Sequence, residues 1–596
     1  MPVPESNAWK MAVEIKVHST VGAMRNAAAG VSFIRRKFNA MLGVATVTMS
    51  VNYIVMLSGS VVVGCAVGPD GLAGVNVCTP AFGIASFVAS LISVGSGLVF
   101  SRAMGAFDDR RAGGIFTQSV TLAAACGLGV FVAMTLGGTA FLDFMGVTGE
   151  VRRQAADYWR WQSVAMGLTP LVLLMEAMVY ADGDGLVAAL AGVCHVSGSI
   201  GFSLLFTWLT GSAGGSAAGT ALTMAVVLAV SSLHFLRRNN HLRFVRCWSK
   251  ADVLQTIASS LPDATIYLCW GVLVMAVNKI VVVNFGEGLL AVVALAASVV
   301  EFSIVFDGVG EALIPLGGMY QGEGNIPALR SLARHSALVA TAEGTLCGVI
   351  FFALAPVLAP LYGISASSGL LAAAVEAIRI LAFAMPFMGF LMMANTHYLV
   401  IRHAKFAVSI TVLKDFLFPC LFVILLQQSV RGVWFGFVLG YVLAAAYPFV
   451  FVRLRYGRRF FPWLLPADDG RILNFAVRLT QEGLAVARDR IGGYLAGHGV
   501  GDRMARRVVQ TVEGTALATI GRNPAGKTIA EYAVFLGKGE SVRLVTRDTG
   551  VAFDVTAHLS RQGSRETGRY LNTLNSNRAE FVFQSQSPAP ANSVIG

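Results

Sequence analysis

The chain reads GPDGLAGVNVCTPAFGIASFVASLISVGSGLVFSRAMGAFDDRRAGGIFTQSV from Gly68 to Val120, and this stretch decides its fold class. No charged residue lies between Asp70 and Arg102, so a long apolar run leads into an arginine-bearing loop. A transmembrane helix needs about 20 consecutive, mostly apolar residues to cross the hydrocarbon core. The stretch therefore predicts a membrane-spanning helix that ends at a charged membrane surface.

Similar apolar blocks recur along the chain. Hydrophobic residues make up 55% of its 596 residues and charged residues 13%, whereas soluble domains carry about 25% charged residues. The blocks have helix-spanning length, which argues against a large soluble protein. The sequence predicts an all-α polytopic membrane protein with a small C-terminal α+β cytoplasmic domain. The expected spans, about twelve, are 39–66, 74–101, 116–138, 157–180, 186–209, 216–237, 256–283, 288–317, 331–358, 375–400, 406–427 and 432–453.

Charge sorts the loops into two sets. The net charge is +12, and clusters such as Arg35–Lys37, Arg237–Lys250 and Arg453–Arg459 fall on one side if the spans alternate. Cytoplasmic loops carry excess lysine and arginine, so we expect a multi-pass protein of the plasma (inner) membrane with both termini cytoplasmic. Arg152, Arg153 and Arg160 are exceptions to this pattern. Because the charge serves orientation, nucleic acid is not an expected partner, whereas the lipid bilayer is.

Two local patterns recur at one offset. Gly105 begins GAFDD and Gly322 begins GEGN, 217 residues later (322 − 105), and FMGVT around Gly146 recurs as LYGIS around Gly363 at the same spacing. Each copy then holds six spans, so both copies have the same orientation. Two parallel six-helix lobes are a layout of secondary transporters, whose sites lie at the repeat interface.

These stretches resemble the multidrug and toxic compound extrusion (MATE) family. The resemblance rests on Gly68–Val120, on FMGVTGEVRRQAADYWRWQSVAMGLTP (Phe144–Pro170) and on GGMYQGEGNIPALRSL (Gly317–Leu332), and it covers roughly residues 38–460. It implies a secondary active exporter, not an enzyme, that antiports an organic cation or metabolite against protons or sodium as two lobes rock. Multidrug, or xenobiotic, efflux across the cell membrane is the expected activity.

One position departs from the family pattern. Members often carry an aspartate in the first span, about nine residues before the glycine that stands here at Gly68. This chain has Leu57, Ser58, Gly59 and Ser60 in that neighbourhood. The departure removes the expected coupling carboxylate from the first lobe.

Ionisable residues at bilayer depth are costly and indicate functional sites. Five lie in the predicted second lobe and form the candidate site for ion and substrate coupling: Glu301, Asp307, Glu343, Lys414 and Asp415. The alternative is a structural ion pair, for example of Lys414 with Glu301 or Glu343. Because Lys414 and Asp415 diverge by about 100° on a helix, they need not pair with each other.

Four further ionisable residues have less specific readings. Asp263 follows Pro262 and fits a helix entry, and Glu311 is expected to reach the cytoplasmic interface. Glu176 and His195 stand isolated in the first lobe, where a lone histidine is more often a packing residue. No pattern indicates a metal site or a catalytic residue.

The composition changes after Pro466, where a charged domain of about 115 residues follows. GRNPAGKT, from Gly521 to Thr528, spells a phosphate-binding loop, but that motif needs a strand before it and a helix after it. Here a helical pattern precedes the string and a strand-like pattern follows, so the order is wrong for this motif.

RDTGVAFD, from Arg547 to Asp554, with the helix that carries Glu513, resembles the histidine-kinase-like (GHKL) ATPase fold in its anti-sigma-factor form. The resemblance implies that Asp548 and Gly550 meet adenine and that Glu513 takes the base position, with ATP as a possible ligand. Leu517 replaces the asparagine that would hold magnesium, so ATP hydrolysis is not expected.

The predicted organisation is therefore 1–37 (N-terminal cytoplasmic segment), 38–240 (first lobe), 241–255 (linker), 256–455 (second lobe), 466–582 (GHKL-like domain) and 583–596 (disordered tail). Two other functions remain open. One is a membrane-anchored sensor that acts through its tail on a cytoplasmic regulatory protein, and the other is a flippase for a lipid-linked substrate. A sensor needs far fewer spans, so transport of a small molecule is the favoured interpretation.

Overall fold

The structure is a computed structural model. It describes residues 33–50, 53, 62–63, 66–67, 69–144, 148–237, 240–285, 289–361, 370–524, 527–537, 541–561, 566 and 568–584. The predicted N-terminal segment up to residue 32, Gly146, Gly363, the four first-lobe residues 57–60, and the predicted disordered tail from residue 585 lie outside these ranges. The side chain of Asp263 is also outside the described part. The chain divides into two units.

The first unit comprises Phe38–Glu323 and Ala333–Pro466 and consists of helices. The first half begins with α1 (33–50), of which residues 38–50 belong to this unit, and continues through α2 (Pro69–Gly105), α3 (Asp109–Phe144), α4 (Gly149–Ala181), α5 (Gly185–Thr210) and α6 (Ala213–Ser232), closed by a 3₁₀ turn, Leu233–Leu236. The second half comprises α7 (Lys250–Phe285), α8 (Leu290–Glu301), a 3₁₀ turn Phe302–Phe306, α9 (Asp307–Glu323), α10 (Ile326–Leu361), α11 (Leu371–Ala382), α12 (Met385–Val400), α13 (Ala404–Val412), a π turn Leu413–Leu417, α14 (Phe418–Leu425) and α15 (Val430–Arg455).

Many of these helices can cross a membrane. In the described part of the chain, nine are long and apolar enough, or ten if α11 and α12 form one bent span. The bend between α11 and α12 is 45°, and Pro386 in the first turn of α12 accounts for it, because proline removes a helix hydrogen bond and clashes with the preceding turn.

The helix boundaries reproduce the internal repeat. Helix α3 starts at Asp109 and ends at Phe144, and α10 starts at Ile326 and ends at Leu361, each 217 residues later. The repeat-related glycines also meet. A Cβ on Gly105 would clash with the Met319 carbonyl and one on Gly322 with the Arg102 carbonyl, so α2 and α9 cross in backbone contact. Small residues at such crossings allow helices to pack closely in lipid.

The second unit contains the tail from Ala467 together with residues 33–37 and Gly324–Leu332. The described part of the tail has five strands and three helices: β1 (Ile472–Arg478), α16 (Gln481–Gly497), α17 (Asp502–Ile520), β2 (Ile529–Leu536), β3 (Val542–Asp548), α18 (Val555–Arg561), β4 (Gly568–Thr573) and β5 (Ser576–Phe583). The sheet order is β1-β2-β3-β5-β4 with every neighbouring pair antiparallel. Helix α17 buries Met504, Val508, Val512 and Ala516, one residue per turn, in the core beneath the sheet.

The start of α1 and the connection between α9 and α10 pack against this tail sheet. Phe33 lies in a cluster with Ala476 and Ile529, and Asn325 donates to Asn474 at 3.1 Å. Lys37 donates to the carbonyl oxygens of Leu574 and Asn575 at 3.0 and 2.6 Å. Leu574 and Asn575 both have positive φ and form the two-residue turn between β4 and β5, as a tight hairpin requires.

Candidate functional site

A cleft of about 210 Å³ lies between the two halves of the helical unit. Helices α1, α2, α4 and α5 line it from the first half, and α7, α9 and α12 line it from the second. Three carboxylates face this space: Glu176 from α4, and Asp307 and Glu311 one turn apart on α9. Tyr180 and Tyr267 add aromatic surface. The lining therefore combines negative charge with aromatic rings, the two features that attract organic cations.

The cleft lies in the half of the bundle nearest the arginine-bearing loops. Tyr180 is the last residue but one of α4, Ala188 lies in the first turn of α5, and Thr396 lies in the last turns of α12. Asp184, in the turn between α4 and α5, lies 3.4 Å from Arg237, and Arg402 follows the end of α12. The cleft is thus closer to the arginine-bearing end of the bundle than to the opposite end.

The repeat makes the cleft nearly symmetric in position but not in charge. Ser90 on α2 and Asp307 on α9 are 217 residues apart, and both line the cleft. Ser93 and Gly310 form a second such pair. The first half therefore offers a hydroxyl where the second half offers a carboxylate, which concentrates charge on α9. Glu311 also lines this cleft from α9.

Glu176 and His195 are not isolated from each other. His195 on α5 places its Nδ1 3.6 Å from Glu176 Oε1, and this nitrogen is buried without a hydrogen bond. The imidazole thus stands directly behind a carboxylate that lines the cleft. The expectation of two separate residues was wrong because α4 and α5 are antiparallel neighbours joined by a short turn, which brings residues 19 positions apart into contact.

Lys414 and Asp415 form a buried ion pair with each other. Lys414 Nζ lies 2.8 and 2.6 Å from the two oxygens of Asp415, and the two residues are 1% and 7% exposed. The pair sits in the π turn between α13 and α14, where the wider backbone turn brings successive side chains together. The expected pairing of Lys414 with Glu301 or Glu343 is therefore not formed. The π turn packs against α7 and α15.

Glu301 and Glu343 occupy two other places in the second half. Glu301, the last residue of α8, accepts a hydrogen bond from Trp270 Nε1 at 3.0 Å. Glu343 on α10 accepts one from Thr46 on α1 at 3.3 Å, and its second oxygen is buried without a hydrogen bond. The five candidate coupling residues thus lie at several separate sites. Of the five, only Asp307 lines the cleft.

A family model described as MatE matches residues 44–205 and 265–418, which is more than half of the 596 residues. The chain belongs to the MATE family. It is a multi-pass membrane transporter and not an enzyme. No curated protein sequence matches it.

Several solved structures have the same fold as most of this MATE chain. A MATE protein in complex with MaL6 superposes with a TM-score of 0.67 at 22% identity and covers 72% of this chain and 98% of its own. An outward-facing multidrug resistance MATE transporter of the MOP superfamily gives a TM-score of 0.66, with 22% identity and coverages of 72% and 97%. A MOP superfamily transporter from Pyrococcus furiosus, for which a reverse polarity of the binding pocket suggests a different function, gives the same values. At 22% identity, this structural likeness establishes only the fold of the MATE chain.

Sequence reasoning missed several residues of the MATE cleft. Tyr180, Tyr267 and Ser90 line it but carry no charge, so intramembrane ionisation could not indicate them. The repeat held the signal for Ser90, because an offset of 217 residues relates it to Asp307. The two tyrosines gave no such signal.

The tail of the MATE chain lies beyond the matched residues. At the end of β3, Asp548 accepts from Asn577 Nδ2 at 2.9 Å and from the Gly550 amide at 2.8 Å. Burial raises the pKa of this carboxyl. Glu513 lies 3.4 Å from Arg488 on α16, whereas Thr519, six residues further along α17, contacts Asp548 at 3.4 Å. Six residues turn a helix by about 240°, so Glu513 and Asp548 face different sides of α17.

The phosphate-loop string is not in the context that its mechanism needs. Helix α17 ends at Ile520, immediately before Gly521, and β2 begins at Ile529, immediately after Thr528. A phosphate-binding loop of this type needs a strand before it and a helix N-terminus after it. The string in this chain runs from helix to strand, as the sequence pattern predicted.

Proposed function

We propose that this protein is a secondary active exporter of organic cations or cationic metabolites, driven by antiport of protons or sodium. The carboxylate-lined cleft between the halves carries the proposal. Asp307 and Glu311 stand one turn apart opposite Glu176, and Tyr180 and Tyr267 border the same space. A cation loses hydration free energy when it enters the cleft, and its attraction to these carboxylates offsets that loss. A neutral or anionic solute has no comparable attraction.

Transport in this proposal uses twelve spans in two six-helix lobes, with both termini in the cytoplasm. The close crossing of α2 and α9 at Gly105 and Gly322 supports a contact about which the lobes rock. The buried Lys414–Asp415 pair, Glu301 and Glu343 are the proposed coupling groups of the second lobe. An ion that binds any of these carboxylates changes the charge buried inside the lobe, which biases one conformation over another.

Proteoliposomes test the exporter. Vesicles that contain the purified protein and a quaternary ammonium dye are given an imposed pH gradient or sodium gradient. We expect dye efflux to be faster under one of the two gradients than without a gradient. When an ionophore collapses that gradient, efflux should fall to the rate measured without one. A fluorescent dye of similar size and no charge is the matched solute. Equal rates for both dyes, or rates independent of both gradients, would reject the proposal.

The flippase alternative is not favoured by the cleft. A lipid-linked substrate that carries phosphate would bring negative charge to Glu176, Asp307 and Glu311, and like charges repel strongly at low dielectric. The sensor alternative has no described contact that supports it over transport.

We propose that the tail is a regulatory, nucleotide-binding-like domain. Asp548, Gly550 and the α17 helix keep the arrangement of a strand end against a helix that the GHKL resemblance implies. Lys37 bonds to the β4–β5 turn, and burial lowers its pKa to about 8. A ligand or partner that binds the tail next to this turn would act on the first turns of α1, where Lys37 lies.

The tail proposal predicts nucleotide binding that does not depend on magnesium. Leu517, one turn after Glu513, is 51% exposed and has no oxygen to offer a metal. We expect a fluorescent ATP analogue to bind the full-length chain equally with Mg²⁺ or EDTA, and Leu517→Asn to make binding magnesium-dependent. Leu517→Ala is the control for lost apolar surface. Magnesium-dependent ATP turnover by the wild type would contradict the assignment, and so would binding unaffected by Asp548→Asn.

A further inference from the structure

Two basic runs that are distant in sequence meet at one end of the second half. The basic rim comprises Arg402, Lys405, Arg453, Arg455, Arg458 and Arg459, and all six are exposed. Tyr456 joins the runs, because its ring lies 6.3 Å from that of His403. The rings of Phe406 and Phe451 stack at 4.6 Å beside them. The two basic runs thus lie on either side of an aromatic contact where α12 and α15 end.

None of the six cations of the basic rim has an ion-pair or hydrogen-bond partner among the described residues. No carboxylate of the described residues lies within ion-pair distance of them, and a comparison of the two halves shows which counter-charges the second half lacks. The first half has the same backbone turn at the end of α4, where Gly183 has φ 88°, as the second half has at Arg402, where φ is 69°. The amide hydrogen bonds on both sides of these residues follow one pattern in the two turns.

Carboxylates flank the turn in the first half only. Asp182 lies 2.8 Å from both His234 and His241, and Asp184 lies 3.0 Å from His234 and 3.4 Å from Arg237. In the second half, Ile401 and His403 stand at the positions of Asp182 and Asp184. The first half therefore places carboxylates against the basic side chains of this turn, whereas the second half has none at the matching positions beside the basic rim.

The segment that carries the rim is held on the helical bundle. After Gly457, with φ 75°, the chain turns back, and the Trp463 carbonyl accepts from His397 Nε2 at 2.9 Å. Apolar side chains next to the arginines remain outside: Leu454 is 82% exposed, Tyr456 39% and Phe461 46%. Cationic and apolar groups alternate on this surface, as they do at a membrane interface.

We propose that the basic rim binds the headgroup of an anionic phospholipid from the adjacent leaflet, whose acyl chains lie against Leu454 and Phe461. Charge complementarity carries the assignment, because six cations without counter-ions attract an anionic headgroup. The exposed apolar side chains beside them favour a lipid over free phosphate, which would leave these side chains in water. The site is independent of the proposed transport substrate.

The test counts lipids bound to the full-length protein in neutral detergent by native mass spectrometry. We expect phosphatidylglycerol to remain bound and phosphatidylcholine to be lost. Each basic side chain near a charged membrane surface contributes about 1 kcal/mol, or about fivefold in affinity. Arg458→Gln with Arg459→Gln should thus weaken phosphatidylglycerol binding about 25-fold. Arg503→Gln with Arg506→Gln, which removes two exposed arginines from α17 of the tail, should leave it unchanged.

A substitution borrowed from the first half provides the sharper variant. His403→Asp places a carboxylate in the rim at the position of Asp184, and aspartate is favoured at this helix N-cap, so folding should be retained. We expect about fivefold weaker phosphatidylglycerol binding, while His403→Asn, which keeps the cap without the charge, binds at the wild-type level.

Three outcomes would overturn the lipid site. The first is equal retention of the two phospholipids, and the second is phosphatidylglycerol binding that neither His403→Asp nor the rim arginine variants weaken. The third is displacement of the bound lipid by inorganic phosphate, which would assign the rim to free phosphate.

Discussion

Replacing Lys414 with methionine, while Asp415 stays, is expected to lower the free energy of unfolding by about 3–5 kcal/mol. The reason is that removing one partner of a buried ion pair leaves the other charge without compensation. Lys414 and Asp415 are 1% and 7% exposed and bond at 2.8 and 2.6 Å. Titration of the purified protein from neutral detergent into SDS, followed by tryptophan fluorescence, measures the change.

The double variant separates pairing from packing. Lys414→Met with Asp415→Asn removes both charges and keeps similar volumes, so it should recover most of the lost stability, because neutral replacement of a buried pair often costs little. An exposed pair provides the control. Arg153→Gln breaks a bridge to Glu150 whose partners are 60% and 47% exposed, and breaking such a bridge should leave the stability almost unchanged because solvent screens the two charges. If the double variant is as unstable as Lys414→Met, the two charges do not stabilise each other.

Asp307→Asn is expected to reduce gradient-driven efflux of a cationic dye about 10- to 100-fold. A charge-assisted contact contributes about 1.5–3 kcal/mol, and 1.4 kcal/mol is a factor of ten in affinity. The substitution keeps the shape of the side chain, so the loss reports its charge. Initial rates in proteoliposomes over a range of dye concentrations show whether the change lies in apparent affinity.

The repeat offers a matched control for Asp307. Ser90 lines the same cleft from the position 217 residues earlier, and Ser90→Ala removes a polar group without changing charge, so its rate should stay close to the wild type. Asp307→Glu should retain much of the activity because the charge is kept. The assignment of Asp307 fails if Asp307→Asn and Ser90→Ala reduce efflux equally, or if Asp307→Glu is as inactive as Asp307→Asn.

Residues from both halves would act in one transport cycle under this proposal. The cleft collects Glu176 from α4 and Asp307 from α9, while the Lys414–Asp415 pair is buried where the π turn packs against α7 and α15. Helix α7 contributes Tyr267 to the cleft and also packs against the π turn that carries Asp415. This helix therefore contacts both the proposed substrate site and the proposed coupling site.

The class of the protein and its repeat could be predicted from the sequence because their signals are local. Apolar runs of spanning length and arginine clusters can be counted along the chain, and the 217-residue offset reappears in the boundaries of α3 and α10. Helix geometry did not indicate that Lys414 and Asp415 pair with each other, which they do in a π turn rather than in a regular helical turn.

The sequence by itself determined that this chain spans a membrane as two related halves of a transporter, and it named most of the ionisable residues. Only the tertiary structure decided which side chains meet: Glu176 lies against His195, Asp307 and Glu311 share one cleft with Tyr267, and His403 lies against Tyr456 between the two basic runs. The physical reason is that lipid-facing and protein-facing sides of a membrane helix are both apolar, so sequence periodicity carries little information about which side faces a neighbour. Contacts between helices that are hundreds of residues apart are set by close packing at small residues such as Gly105 and Gly322.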